Sequence, residues 1–146
     1  AKLSIKLIQD FPETYKIFSQ KEFTYNEIRQ LNRNSLLWQD DSIDGIKTGH
    51  TSTSGYCMVS SAKRGDMRLI AVTLNSSSEK SRLRDSRRLL DYGFRYYTTK
   101  KIISKYEPIT SVDVWAGNED SLELGPKEDI YVTLTKPEFN SLELIA

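Results

Sequence analysis

The sequence predicts an α+β fold: an antiparallel sheet carrying helices, followed by the start of a smaller β-rich module. Three observations predict it. First, Gly55–Ala62 (GYCMVSSA) and Met67–Leu74 (MRLIAVTL) are β-type runs flanking Lys63-Arg64-Gly65-Asp66, the spacing of a hairpin closed by a glycine-containing turn. Second, Ser76 with Glu79 three residues on is a capping-box pattern. The helix it opens sets Leu83, Leu90, Phe94 and Tyr97 on one face and arginines elsewhere. Third, beyond residue 100 the apolar runs shorten to Ile102-Ile103, Val112–Trp115 and Ile130–Leu134, broken by Pro108, Gly117 and Gly125-Pro126.

The remaining elements follow in chain order. Leu3, Leu7 and Ile8 recur at helical spacing within a helix already under way at residue 1. Asp10-Phe11-Pro12-Glu13 stops it and starts another, with Asp10 available as a cap and Pro12 early in the new helix, where its missing N–H costs nothing. Tyr15 and Phe18 then face inward. Lys21–Ile28 alternates as a strand or hairpin arm, and Asn32-Arg33-Asn34 favours a turn before Leu36-Leu37-Trp38. Asp44–Gly49 forms the strand before the hairpin.

Composition narrows the function. Of 146 residues, 38% are hydrophobic and 28% charged, and 15 aromatic side chains argue against disorder. No apolar run approaches the roughly 18 residues of a membrane span. A single cysteine, Cys57, excludes an internal disulfide and a cysteine-cluster metal site, and reads as a small core residue. A single histidine, His50, excludes chemistry that needs two imidazoles. The net charge is +1, but residues 1–100 carry +6 and residues 101–146 carry −5. That sign change suggests two bodies, divided as residues 1–98 and 99–146. The second is too small to close a core alone. Asp85 and Asp91 interrupt the basic helix Arg82–Arg95, and no stacking-aromatic motif accompanies it, so nucleic acid is not an expected partner.

Lys47-Thr48-Gly49 is the motif that carries chemistry. A strand bearing an ammonium, a hydroxyl and a bare glycine lets a ligand lie against the backbone while its anionic end meets Lys47 and Thr48. Such a tripeptide arises by chance in roughly three chains per hundred of this length, so its context decides. Arg29–Asn34, Leu36-Leu37-Trp38, Asp44–Thr51, Gly55-Tyr56, Met67–Ile70 and Leu89-Leu90 with Gly93-Phe94 surround it. With these segments the chain resembles the low-mass penicillin-binding proteins, the serine D-alanyl-D-alanine carboxypeptidases of peptidase family S11. The likeness is strongest from Glu22 to Tyr97 and matches their C-terminal portion.

The resemblance implies a penicillin-binding, β-lactamase-like transpeptidase domain, and His50 after the glycine favours the carboxypeptidase branch. It further implies that Lys47 holds the substrate and the proton network of the catalytic serines. Thr48 would bond the terminal carboxylate beside Gly49, and the His50 backbone N–H would supply half of an oxyanion hole. Arg82 matches an arginine holding the terminal D-Ala carboxylate, and Arg33 matches another pocket arginine. The implied partners are peptidoglycan stem peptides ending in D-Ala-D-Ala and β-lactam antibiotics, with no metal and no cofactor.

The nucleophile is expected elsewhere. The family reaction needs Ser-x-x-Lys and Ser-x-Asn, both ahead of Lys-Thr-Gly, and no Ser-x-Asn occurs in the chain. Ser60–Lys63 and Ser77–Lys80 have the first spacing but follow Lys47, and the former lies on a strand whose positions three apart face opposite sides. The expectation is a fragment: the N-terminal half would be missing, and the segment that anchors the family to a membrane would lie beyond residue 146. Such a piece would expose apolar faces and strand edges, and its parent would work in the periplasm or otherwise outside the cytoplasmic membrane. The alternatives are a non-catalytic module binding peptide stems or β-lactams, and part of a serine β-lactamase, against which the β-rich continuation argues.

Overall fold

The computed structural model describes residues 1–142, which fall into two compact units, Ala1–Arg95 and Tyr96 onward. Unit 1 is built on a three-stranded antiparallel sheet in the order β3-β4-β5, with β3 Ile43–Thr51, β4 Gly55–Arg64 and β5 Met67–Ser76. Ahead of it come α1 Lys2–Asp10, α2 Pro12–Tyr15, a 3-10 turn over Lys16–Ser19, and the hairpin β1 Glu22–Tyr25 with β2 Ile28–Leu31. A second 3-10 turn, Ser35–Trp38, precedes β3, and α3 Glu79–Tyr96 follows β5. The expected hairpin is β4–β5, closed by the two residues Gly65 and Asp66, where Gly65 at φ +58° takes the left-handed conformation open to glycine.

The pleat divides the sheet into two faces. On one lie Ile46, Thr48 and His50 of β3, Tyr56, Met58, Ser60 and Ala62 of β4, and Leu69, Ala71 and Thr73 of β5. α3 packs here, with Leu36 and Leu37 completing a core of Ile43, Met58, Ala62, Ala71 and Leu90. The helix can come close because its inward residues are small: Ser86 bonds Thr73 through their hydroxyls at 3.1 Å, and a Cβ at Gly93 would stand 2.4 Å from Leu69 Cδ1.

The opposite face is tied down near its start by a polar cluster. The Tyr15 hydroxyl donates to Asp44 Oδ1 (2.9 Å), and Arg68 donates to Asp44 Oδ2 (2.6 Å) and to Ser61 Oγ (2.7 Å). Burial, reinforced by the Asp44 carboxylate against opposing contributions from Ser61 and Arg68, pushes the Tyr15 hydroxyl up to about 12. An unfolded tyrosine ionises near 10, so this cluster contributes its full stability below that pH and loses it as pH rises toward 12. The melting temperature of wild type is therefore expected to fall across that window, while Tyr15→Phe shows a flatter profile.

Five details differ from the sequence expectations. Asp10 does not cap α2, because its carboxylate pairs with Lys6 one turn back (3.1 Å) and Phe11 occupies the cap position ahead of Pro12. α1 turns Ser4, Leu7 and Ile8 toward the protein and leaves Leu3 84% exposed, so its inward stripe is narrower than expected. Ser76 is the last residue of β5, and α3 is capped instead by Ser78: its Oγ accepts from Ser81 N (3.1 Å) while Ser81 Oγ accepts from Ser78 N (2.9 Å). Tyr97 lies in a strand beyond the helix rather than on its face. Cys57 is only half-buried, donating to the Ser54 carbonyl at 3.3 Å.

Unit 2 is β-rich. β6 Tyr97–Ile103 pairs with β9 Ile130–Thr135, and β7 Thr110–Asp113 pairs with β8 Ser121–Leu124, a strand not expected from the sequence. α4 Lys136–Asn140 closes it, with Thr135 and Glu138 forming a capping box. Its strands bury little. Val112, Leu122, Leu124 and Trp115 are all exposed, as are Val72 and Leu74 on β5 of unit 1.

Candidate functional site

Lys47, Thr48, Gly49 and His50 occupy consecutive positions of β3, paired with Val59, Met58, Cys57 and Tyr56 of β4. Among the described residues β3 pairs on one side only, which leaves its other edge open along the motif. Alternation splits the motif between faces: Lys47 and Gly49 stand on one, Thr48 and His50 on the other. What the four residues share is the strand edge rather than a common face. An edge of this kind accepts an extended peptide through main-chain hydrogen bonds.

Each side chain has a distinct setting. Lys47 is exposed and its Nζ donates to the Thr48 carbonyl at 2.7 Å. Thr48 is buried on the α3 side. At Gly49, apart from the glycine and its two chain neighbours, no heavy atom among the described residues lies within 4 Å of where a Cβ would sit, so the backbone is open to close approach. The His50 ring stacks on Tyr56, centroids 4.0 Å apart and planes inclined by 31°. The strand is further held by Asn34, fully buried, whose Nδ2 donates to the Gly45 carbonyl (3.0 Å) while its Oδ1 accepts from Leu36 N (3.2 Å).

Arg82, in the first turn of α3, reaches this strand from the helix side. It is 3% exposed, with Nη1 donating to the Gly49 carbonyl (3.4 Å) and Nη2 to Glu79 Oε1 (3.3 Å). Its Nε is buried without a partner among the described residues. A buried guanidinium with unused donor capacity is costly unless something else meets it, which sets Arg82 apart from the exposed arginines later on the same helix. Arg33 is exposed on the loop before the second 3-10 turn and, among the described residues, makes no hydrogen bond or ion pair with the others. The structure thus brings Gly49, His50 and Arg82 together and keeps Lys47 and Thr48 on the same strand, while among the described residues Arg33 makes no hydrogen bond or ion pair with any of them.

Neither Ser-x-x-Lys pair forms a nucleophile–base couple. Ser60 is completely buried facing α3 and Lys63 is exposed on the other face of β4. Ser77 precedes α3, and its Oγ contacts Ser81 Oγ at 3.4 Å. Tyr56, Asn34 and Glu79 are the neighbours to which sequence reasoning assigned no role at the site. Tyr56 could have been found only through the β3–β4 register, which sets it opposite His50.

The antiparallel sheet, with a helix across one face and Lys-Thr-Gly on its open edge strand, and the β-rich unit after it have the fold of solved penicillin-binding proteins. The family pattern for D-alanyl-D-alanine carboxypeptidase, peptidase S11, matches residues 1–78, and that for the C-terminal domain of penicillin-binding protein 5 matches residues 97–145. The chain belongs to the D-alanyl-D-alanine carboxypeptidase family. It is 43% identical over 138 residues to D-alanyl-D-alanine carboxypeptidase DacA of Escherichia coli, covering 94% of this chain and 34% of that protein. Penicillin-binding protein 5 of Haemophilus influenzae superposes with a TM-score of 0.81 at 41% identity, over 92% of this chain and 40% of that one. Penicillin-binding protein D2 of Listeria monocytogenes, in its ampicillin-bound form, gives a TM-score of 0.60 at 34% identity, over 63% of this chain and 38% of its own. The chain therefore spans about a third of the length of its curated relatives. α3 with Arg82 falls between the two matched segments.

Proposed function

We propose that this chain is the substrate-binding portion of a serine D-alanyl-D-alanine carboxypeptidase, with residues 1–98 from its catalytic domain and 99–146 from its β-rich C-terminal domain. The observation that carries it is the pairing of an open-edged Lys47-Thr48-Gly49 strand with a buried, under-satisfied Arg82 against the Gly49 carbonyl. A peptide ending in D-Ala-D-Ala aligns along the β3 edge. Its terminal carboxylate meets Thr48 and Arg82, Lys47 supplies positive charge to the reacting groups, and the His50 N–H donates to the developing oxyanion.

The reaction is acyl transfer. A serine outside residues 1–146 bonds through its Oγ to the penultimate D-Ala carbonyl carbon, the C–N bond breaks, and D-Ala leaves with the proton the serine gave up. Water then hydrolyses the ester. A β-lactam acylates the same serine and stays, consistent with the ampicillin-bound Listeria relative. The site of action is periplasmic or otherwise outside the cytoplasmic membrane, where the stem peptides are.

The test is cleavage of the last peptide bond by the full-length protein in a peptide ending in D-Ala-D-Ala and in its C-terminal amide, read as release of D-Ala from the first and of D-alaninamide from the second. The free acid is expected to be hydrolysed and the amide to be a poor substrate. Equal rates would contradict the carboxylate site.

A further inference from the structure

We propose that Tyr56 is the positioning residue that holds Arg82 and His50 in their substrate-binding places. Tyr56 sits on β4 directly opposite His50, on the sheet face covered by α3. Its ring meets the imidazole at a 4.0 Å centroid separation, and the Arg82 guanidinium carbon lies 5.5 Å from the ring centroid. That second distance is within the range where a cation is attracted to an aromatic quadrupole, more strongly when water is excluded.

The arrangement has a purpose beyond packing. The polar partners of the Arg82 side chain among the described residues are the Gly49 carbonyl at 3.4 Å and Glu79 at 3.3 Å, the carboxylate of the latter being mostly exposed. Both contacts are long for charge-assisted bonds, and Nε has none. The aromatic face is therefore a contact that holds the guanidinium without consuming a donor, and leaves the N–H groups not directed at Gly49 and Glu79 for a ligand carboxylate. Stacking on His50 steadies the strand where its backbone N–H is required. The ring thus couples the group proposed to meet the carboxylate with the group proposed to meet the oxyanion.

This inference rests on the reading that Arg82 meets a substrate carboxylate, so the experiment tests both. In the full-length protein, wild type, Tyr56→Leu, Tyr56→Phe and Arg82→Gln are acylated with benzylpenicillin and with its methyl ester, which lacks the free carboxylate. The readout is the second-order acylation rate constant for each. Tyr56→Leu is expected to lower the rate with the free acid about five- to thirty-fold, and with the ester far less, as loss of a buried cation–aromatic contact would. Tyr56→Phe keeps the ring and restores the preference for the acid. An equal fall with both compounds means a merely structural role and overturns the proposal, as does no fall at all. If Arg82→Gln loses the acid preference while Tyr56→Leu keeps it, the Tyr56 assignment fails and the carboxylate site stands. If Arg82→Gln keeps the preference, both fail.

Discussion

Replacing Lys47 by alanine in the full-length protein is expected to lower the acylation rate by penicillin about 10²- to 10³-fold, the loss typical of removing one preorganised group from a charge-stabilising site. The stability of the fold should change by no more than about 0.5 kcal/mol, because the side chain is exposed and contributes nothing to the core. The hydrogen bond its ammonium makes among the described residues, to the adjacent Thr48 carbonyl at 2.7 Å, is one that water can replace. The two measurements together separate a functional lysine from a solvated surface one. A loss below about tenfold, which is ~1.4 kcal/mol, would place Lys47 outside the reacting centre.

Leu37→Ala should have the largest effect on stability. Leu37 is 2% exposed and packs with Ile43, Met58, Ala62 and Leu90, where the 3-10 turn closes the end of the α3-covered core. Removing its side chain leaves a cavity that the sheet and helix cannot both collapse into, at a cost of about 2–5 kcal/mol by denaturant titration. Leu89→Ala, half-exposed on α3, should stay within about 0.5 kcal/mol of wild type. The core also reaches the site. Asn34, three residues earlier, holds the Gly45 carbonyl, so loosening this turn loosens the strand that leads to Lys47. Similar losses from the two leucine variants would contradict this placement of the core.

The strands and the motif were legible because their signals are local. Gly65 closes the β4–β5 turn where glycine spacing predicted it, and Lys47-Thr48-Gly49 lies on the strand expected just before that hairpin. The failures share a cause: each turned on a choice among nearby groups that tertiary structure makes. Ser76, Ser77 and Ser78 are chemically equivalent caps, and the length of β5 decides that Ser78 is the one used. Asp10 could cap or pair, and Lys6 one turn away takes it. β8 is only four residues long, too short for its Ser-Leu-Glu-Leu alternation to stand out from the surrounding loops. At the site, the residues that read as one cluster in sequence are divided between two sheet faces by the pleat. The contact joining Arg82, Tyr56 and His50 comes from three elements, and only the register and the helix's approach bring it about.

The most direct measurement is the intact mass after incubation with benzylpenicillin, made on residues 1–146 alone and on the full-length protein. The expected result is a covalent adduct on the full-length protein and none on residues 1–146, which carry the proposed substrate-binding strand without the attacking serine. An adduct on residues 1–146 would contradict it and return attention to Ser60 and Ser77, the two serines with a lysine three residues on.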